Sequence, residues 1–87
     1  MQVETEILNT VIGCKDYHEP ACEYGSRAWR AKGKNIDVIY WDVGNGWCEI
    51  IAVIPHSGKN EKEIIKFYKA LRKEISRCYD IEGFRRA

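Results

Sequence analysis

The residue types best suited to chemistry in this 87-residue chain are four cysteines and two histidines. Cys14, His18 and Cys22 follow one another at intervals of four residues, and Cys48 or His56 could supply a fourth metal ligand. Zinc sites usually contain a tighter Cys-x2-Cys pair, and the sequence has none. We therefore predict no metal and no cofactor, and we interpret these residues as separate thiols and a surface histidine.

The spacing of these residues does not indicate catalysis either. Cys48 and His56 fall at opposite ends of one predicted strand, roughly 26 Å apart, so they cannot act as nucleophile and base. Gly44-Asn45-Gly46 is not followed by a helix, as a phosphate-binding loop would be. Segment 56–59 does precede a predicted helix and could hold an anion, but helix N-termini share this property in general. We expect a protein that is not an enzyme.

The element that organises the chain is a predicted β-hairpin from Ile36 to Ile54. Asn45-Gly46 between two apolar runs is typical of a two-residue type I′ turn, which needs positive φ at both positions. This turn pairs Gly44 with Trp47 and separates apolar from polar residues better than a three-residue loop does. One face then carries Ile39, Trp41, Val43, Cys48, Ile50, Ala52 and Ile54.

A C-terminal helix over residues 60–79 is predicted to cover that face. Asn60, with Glu63 three residues later, is typical of a helix start. The apolar residues then recur at steps of four and three and form a single stripe, whose members are Ile64, Tyr68, Leu71, Ile75 and Cys78. We expect this stripe to pack against Trp41 and Ile50.

Two further segments complete the predicted fold. Residues 2–13 fit either a helix or a strand, and their content of Thr, Val and Ile slightly favours the strand. Residues 20–32 start with a proline and end before a glycine, which predicts a helix, while the rival interpretation makes Arg27 to Ala31 an extra strand. The fold class is therefore α+β, a small two-layer domain in which two helices cover one face of a three-stranded antiparallel sheet. The element order is β-α-β-β-α, with α-β-β-β-α as the alternative.

The whole chain, residues 1–87, is predicted to form one domain, and the tail at 80–87 is a candidate for disorder. No apolar run is long enough to span a bilayer, and no signal peptide follows Met1. We therefore expect a cytoplasmic protein with no membrane partner. The oligomeric state is left open, with a homodimer as one option.

The first function hypothesis is a protein-binding role. The hairpin face turned away from the helices would be left uncovered, and exposed apolar patches mark partner sites. Asp42 and Glu49, predicted to lie directly across from each other, would give this face an acidic spot. We expect a small interaction protein, an inhibitor or adaptor of the kind that mobile elements encode, whose protein-binding residues are Tyr40, Asp42, Glu49, Ile51 and Val53.

The alternative hypothesis is nucleic-acid binding. The chain has 14 basic and 13 acidic residues, and this net charge of +1 argues against a general polyanion binder. Residues 25–36, however, hold four basic residues around Trp29, where an aromatic ring could stack on a nucleobase, although a buried Trp29 is the preferred interpretation. The residues assigned to this role are Arg27, Trp29, Arg30, Lys32 and Lys34, with Lys62, Lys66, Lys69 and Lys73 on the outer side of the C-terminal helix.

Overall fold

The computed structural model describes residues 1–14, 18–58 and 60–81, the last three as backbone only. Its elements in chain order are β1 (Gln2–Glu4), α1 (Thr5–Ile12), β2 (His18–Pro20), a 3-10 turn (Cys22–Tyr24), β3 (Ala28–Lys32), β4 (Ile36–Gly44), β5 (Trp47–Pro55) and α2 (Glu61–Ile81). The strands form one antiparallel sheet in the order β1-β5-β4-β3-β2. The predicted α+β class with two helices and an antiparallel sheet is confirmed, but the described part of the chain has five strands where we predicted three.

The N-terminal segment, for which we slightly favoured a strand, contains a short strand and then a helix. β1 pairs with β5 over only three residues, and α1 follows it directly. The helix ends at Gly13, as expected, because a φ of 72° lies in the left-handed region that suits glycine. Ile7, Leu8 and Ile12 are buried at helical spacing, which explains why the apolar pattern also fitted a helix.

The helix predicted for residues 20–32 is wrong. The segment ends β2, forms the 3-10 turn and then enters β3, which lies close to the rival strand over Arg27 to Ala31. Every residue of β3 pairs with β4, so pairing with a neighbouring strand outweighs the helix propensity of the three alanines. Gly25, with a φ of 125°, allows the chain to bend between the turn and β3.

Gly33 does not end a helix but lies in the tight connection between β3 and β4. This connection packs against the end of α1, where the Lys34 N–H donates to the Ile12 carbonyl oxygen at 2.8 Å. A Cβ atom on Gly33 would lie 2.5 Å from the Ile12 oxygen and 2.4 Å from the Ile36 oxygen. The close approach of three backbone segments therefore requires glycine at this position.

The hairpin turn is as predicted, but the register beyond it is not. Asn45 and Gly46 have φ angles of 55° and 82°, and Gly44 pairs with Trp47. Val43 then has no partner on β5, and a second shift leaves Ile51 without a partner on β4. Each strand of the hairpin thus contains one bulge.

These two bulges change which residues share a face of the sheet. Between them, Ile50 lies opposite Tyr40 instead of Trp41, so β5 presents Cys48 and Ile50 on the side of Tyr40. From the Ile39–Ala52 pair to the Ile36–Pro55 pair, the residues are paired as predicted. The prediction that the helices would pack on the side of Trp41 was wrong, because they pack on the side of Tyr40.

We call the helix-bearing side the covered face. Its core includes Leu8 of α1, Leu71 of α2 and Val38 of β4, all fully buried. The other buried members are Val3, Ile7, Ile12, Ala31, Ile36, Tyr40, Cys48, Ile50 and Phe67. The core therefore lies between one side of the sheet and the two helices.

Helix α2 begins and packs largely as expected. The Asn60 side-chain oxygen accepts a hydrogen bond from the Lys62 N–H at 3.1 Å, which satisfies a free donor of the first turn. Of the predicted stripe, Leu71 is buried, and Tyr68, Ile75 and Cys78 are partly buried against the core. The helix continues to Ile81, so most of the tail for which we predicted disorder lies outside the described residues.

We call the opposite side of the sheet the open face, on which neither described helix packs. A second, smaller cluster lies there, made of Ala21, Ala28 and Ile39 with partly buried Ala52 and Ile54. Because most of its members are small, this cluster gives the open face much less buried apolar surface than the covered face has.

Candidate protein-binding surfaces

Tyr40 and Val53, two of the five predicted protein-binding residues, lie on the covered face. Val53 packs against the core, and Tyr40 is 6% exposed. The Tyr40 O–H donates to Nδ1 of His18, whose Nε2–H donates to the side-chain oxygen of Asn9 at 3.1 Å, since an amide oxygen can only accept. Burial raises the pKa of Tyr40 to about 12, so the phenol stays neutral. These hydrogen bonds join β4, β2 and α1 and hold Tyr40 in the interior.

The other three predicted residues do not form an acidic patch. Asp42 and Glu49 are not across from each other, because the first bulge lies near them. The Asp42 carboxylate accepts a hydrogen bond from the Gly44 N–H at 2.9 Å, and that of Glu49 accepts one from the Met1 ammonium group at 2.5 Å. Ile51 is exposed at the second bulge. The structure therefore separates the residues that we predicted to share one surface.

The open face exposes a tryptophan near the tip of the hairpin. Trp41 and Val43 are each 46% exposed. Trp41 lies opposite Ala28 on β3 and Glu49 on β5, so strands on both sides fix its backbone. The indole nitrogen is 3.8 Å from the position of a Cβ on Gly25, so the loop after the 3-10 turn runs close to the ring.

Two open hollows flank the Trp41 ring. One, of about 550 Å³, lies towards the hairpin tip, and the other, of about 270 Å³, lies towards the loop at residues 25–27. Arg27 borders both hollows and Asp42 borders the first, so the second hollow has a cation and no carboxylate among the described residues that line it. We call Arg27, Trp41 and Val43 together the Trp41 surface.

Sequence reasoning placed Trp41 in the core, and one signal argued against that placement. Asp37 alternates with Ile39 and Trp41 along β4, so this set of side chains includes a charge. The other side of the same strand carries Ile36, Val38 and Tyr40, which are uncharged, and its first charge is Asp42 at the hairpin tip. An uncharged set is the better candidate for the side covered by helices.

Asp37 is the centre of a hydrogen-bond network at the other end of the open face. It accepts from Arg30 Nε at 2.9 Å, from His56 Nε2 at 2.7 Å and from the Gly33 N–H at 3.3 Å. Burial acts to raise the pKa of Asp37, but the hydrogen bonds from His56 and Arg30 outweigh it and the net pKa is lowered. The network ties β3, β4 and the turn after β5 together, which makes its role structural.

The basic stretch is divided between the two faces. Arg30 and Lys32 alternate with Trp29 on β3, so their side chains point to the opposite side of the sheet. Arg30 is paired with Asp37, and Lys32 Nζ lies 3.8 Å from a carboxylate oxygen of Glu19. Trp29 is 38% exposed and lies opposite Tyr40, so our preference for a buried Trp29 was wrong. The lysines assigned to α2, namely Lys62, Lys66, Lys69 and Lys73, are exposed.

The cysteines and histidines considered as metal ligands are dispersed. Cys48 is buried in the core, where burial raises the pKa of its thiol, while Cys22 is exposed on the 3-10 turn. His18 bonds to Tyr40, and His56 bonds to Asp37. In the ranges that the structure describes, no three His, Cys, Asp or Glu side chains are grouped so that they could hold a metal ion.

Comparisons of the chain with models of protein families, with curated protein sequences and with solved structures give no match. Neither helix, over its described residues, is both long and apolar enough to cross a membrane. Function is therefore inferred from the geometry of the surfaces described above.

Proposed function

We propose that this protein acts by binding another protein through the Trp41 surface. The protein-binding hypothesis from the sequence is kept, but its centre moves from Tyr40 on the covered face to Trp41 on the open face. The observation that supports it is the exposure of Trp41, whose backbone pairs with a strand on each side, beside the exposed Val43. Tryptophan is enriched among the residues that dominate the binding energy of protein interfaces.

The exposed part of Trp41 represents a sizeable binding energy. A tryptophan side chain has a surface of roughly 250 Å², so about 100 Å² of it remains in contact with water here. At about 25 cal/mol per Å², covering this surface would contribute about 2.5 kcal/mol. Because the backbone of β4 is already fixed, little ordering of the main chain would oppose this gain.

The shape and charge around Trp41 define the chemistry of the partner. The hollows on each side of the indole suit two apolar side chains, one directed towards Val43 and one towards the loop before β3. Arg27 at the rim suits a carboxylate of the partner. We therefore expect a partner surface with two neighbouring apolar side chains and an acidic residue beside them.

Site-specific photo-cross-linking tests this proposal. A photoreactive aromatic amino acid at position 41, which keeps a ring at the site and is introduced in the cell of origin, should capture one protein that the same group at position 29 does not. Position 29 is the matched control, because Trp29 is also a partly exposed tryptophan but lies on the other side of the sheet. With the captured protein purified, Trp41→Ala should raise the dissociation constant at least about 30-fold, the scale of a 2 kcal/mol hot spot.

Two controls decide how this result is interpreted. Trp29→Ala should change the dissociation constant by less than about threefold, the scale of 0.5 kcal/mol. The circular dichroism spectrum of Trp41→Ala should match that of the wild type, since the side chain is not part of either buried cluster. Equal loss of affinity in the two tryptophan variants would contradict a binding site centred on Trp41.

Nucleic-acid binding is kept as the second candidate because Trp29 and the α2 lysines are exposed. The ion pairs of Arg30 and Lys32 reduce the free positive charge of the basic stretch. A salt titration of binding to duplex and single-stranded nucleic acid separates the candidates. Micromolar affinity that falls steeply with salt supports this role, and no binding at low salt removes it.

A further inference from the structure

The outer edge of β5 is only partly covered by another strand. β1 pairs with β5 from Trp47 to Glu49, and the Met1 carbonyl oxygen accepts from the Ile50 N–H at 2.9 Å. Over residues 51–55, β4 is the one strand neighbour of β5 in the described ranges. About half of the backbone groups of a strand point to each side, so the outer N–H and C=O groups of residues 51–54 lack a strand partner there, whereas Pro55 has no N–H and its C=O accepts from the Gly58 N–H.

The side chains along this edge are apolar, and residues 51–54 carry no charge. Ile51 is 37% exposed, while residues 52–54 are partly buried. A hollow of about 620 Å³ borders the same edge, and its lining includes Tyr24 and residues 53–55, with Ile64 and Glu61 of α2. Folded proteins usually protect such an edge with charges, bulges, prolines or another segment. The bulge at Ile51 and Pro55 limit the free edge to residues 52–54, which carry no charge and have no strand beside their outer side among the described residues.

We infer that a second copy of this chain pairs with the edge, so that two β5 strands lie antiparallel about a two-fold axis at Val53. This register places Ala52 opposite Ile54 of the other copy, and Ile51 opposite Pro55 of the other copy. All the residues that meet across the axis are uncharged, so the segment is complementary to itself, as a two-fold interface requires. The exposed Ile51 side chain of each copy then lies beside the hollow that Pro55 of the other copy lines.

The neighbouring segments leave space for this pairing. The chain turns directly after Pro55, where the Gly58 N–H donates to the Pro55 carbonyl oxygen at 3.1 Å, while the His56 N–H donates to the Asn35 carbonyl oxygen at the end of the β4–β5 ladder. The β1 strand of one copy can therefore occupy the space beyond Pro55 of the other. The two sheets would join into one continuous sheet, and the Trp41 surface, which does not include Ile51, would stay accessible in both copies.

Sedimentation velocity over a concentration series tests the inference with two matched lysine variants. As the protein concentration rises, the wild type should change from a 10.1 kDa monomer to a dimer, with a dissociation constant in the micromolar range or below. Ile51→Lys should raise this constant at least about tenfold, because it places a charge beside Pro55 of the other copy, two residues from the two-fold axis. Val43→Lys, which adds the same charge at an exposed position on the hairpin tip, should leave the constant unchanged.

Hydrogen exchange on the unmodified wild type provides a measurement that does not depend on a variant. The backbone amides of residues 51–54 should exchange more slowly as the protein concentration rises, while those of the hairpin turn should not change. A wild type that stays monomeric at every concentration overturns the inference. The β5 edge would then be available for pairing with a strand of another protein. A dimer lost in Val43→Lys but kept in Ile51→Lys also overturns it.

Discussion

The covered face buries Leu8, Leu71 and Val38 completely beneath two helices, whereas the open face buries a small cluster around Ile39 and leaves Trp41 46% exposed. Tyr40 and Trp41 are adjacent in the sequence, yet only 6% of the Tyr40 surface is exposed. The two sides of one strand therefore differ in how fully their side chains are packed. We expect the free energy of unfolding to depend mainly on the covered face, and partner binding to depend on the open face.

The largest loss of stability is expected for a substitution where α2 packs on the covered face. Leu71→Ala should lower the free energy of unfolding by about 2–5 kcal/mol, since it removes a fully buried side chain and leaves a cavity. Ile65→Ala, on the same helix but 55% exposed, should change it by less than about 0.5 kcal/mol. Urea denaturation of both variants checks the difference, and similar losses would mean that α2 presents another side to the sheet.

The second-largest loss of stability is expected in the hydrogen-bond network of Asp37 on the open face. Asp37→Asn should lower the free energy of unfolding by about 1.5–3 kcal/mol at neutral pH, the scale of hydrogen bonds to a charged group. Asp42→Asn, at the exposed hairpin tip, serves as the control and should change it by less than about 0.5 kcal/mol.

The lowered pKa of Asp37 also predicts how stability depends on pH. A carboxyl whose pKa is lower in the folded than in the unfolded state stabilises the fold above its unfolded pKa of about 4. This stabilisation is lost as the pH falls through the folded-state pKa. The wild type should therefore lose more stability than Asp37→Asn when denaturation is repeated below about pH 4, and parallel curves would contradict the network.

The smallest loss of stability is expected for a substitution in the small cluster around Ile39 on the open face. Ile39→Val should lower the free energy of unfolding by about 0.5–1.5 kcal/mol, because Ile39 is fully buried although no described helix covers it. Ile51→Val, at an exposed bulge, is the matched control and should have almost no effect. Equal values for the two variants in urea denaturation would show that the open face has no packed cluster.

Strong local signals made part of this fold predictable from the sequence. The Asn45-Gly46 pair predicted the turn and the Gly44–Trp47 pairing, and Asn60 with the apolar stripe predicted α2. Their conformations depend on residues close in sequence. β2 and β3 are short, and β3 is held by its pairing with β4, which the composition of residues 20–32 does not reveal.

The candidate site was predicted less well, because face assignment depends on the bulges. Val43 and Ile51 are ordinary strand residues, so nothing in their type marks the positions where the register shifts. Residues 38–41 are all large and apolar, so alternation alone allowed either side of β4 to face the helices. The charge of Asp37 favoured the Tyr40 side as the one facing the helices, but the register shifts became visible only in the three-dimensional structure.

Hydroxyl-radical footprinting of Tyr40 and Trp41, read by mass spectrometry on the native monomer, tests the difference between the two faces most directly. Both side chains react readily with the radical when exposed, and they are neighbours on one strand. We predict strong oxidation of Trp41 and near-complete protection of Tyr40, in line with their exposed fractions of 46% and 6%. Protection of Trp41 with oxidation of Tyr40 would place the helices on the opposite side of the sheet and would remove the proposed binding surface.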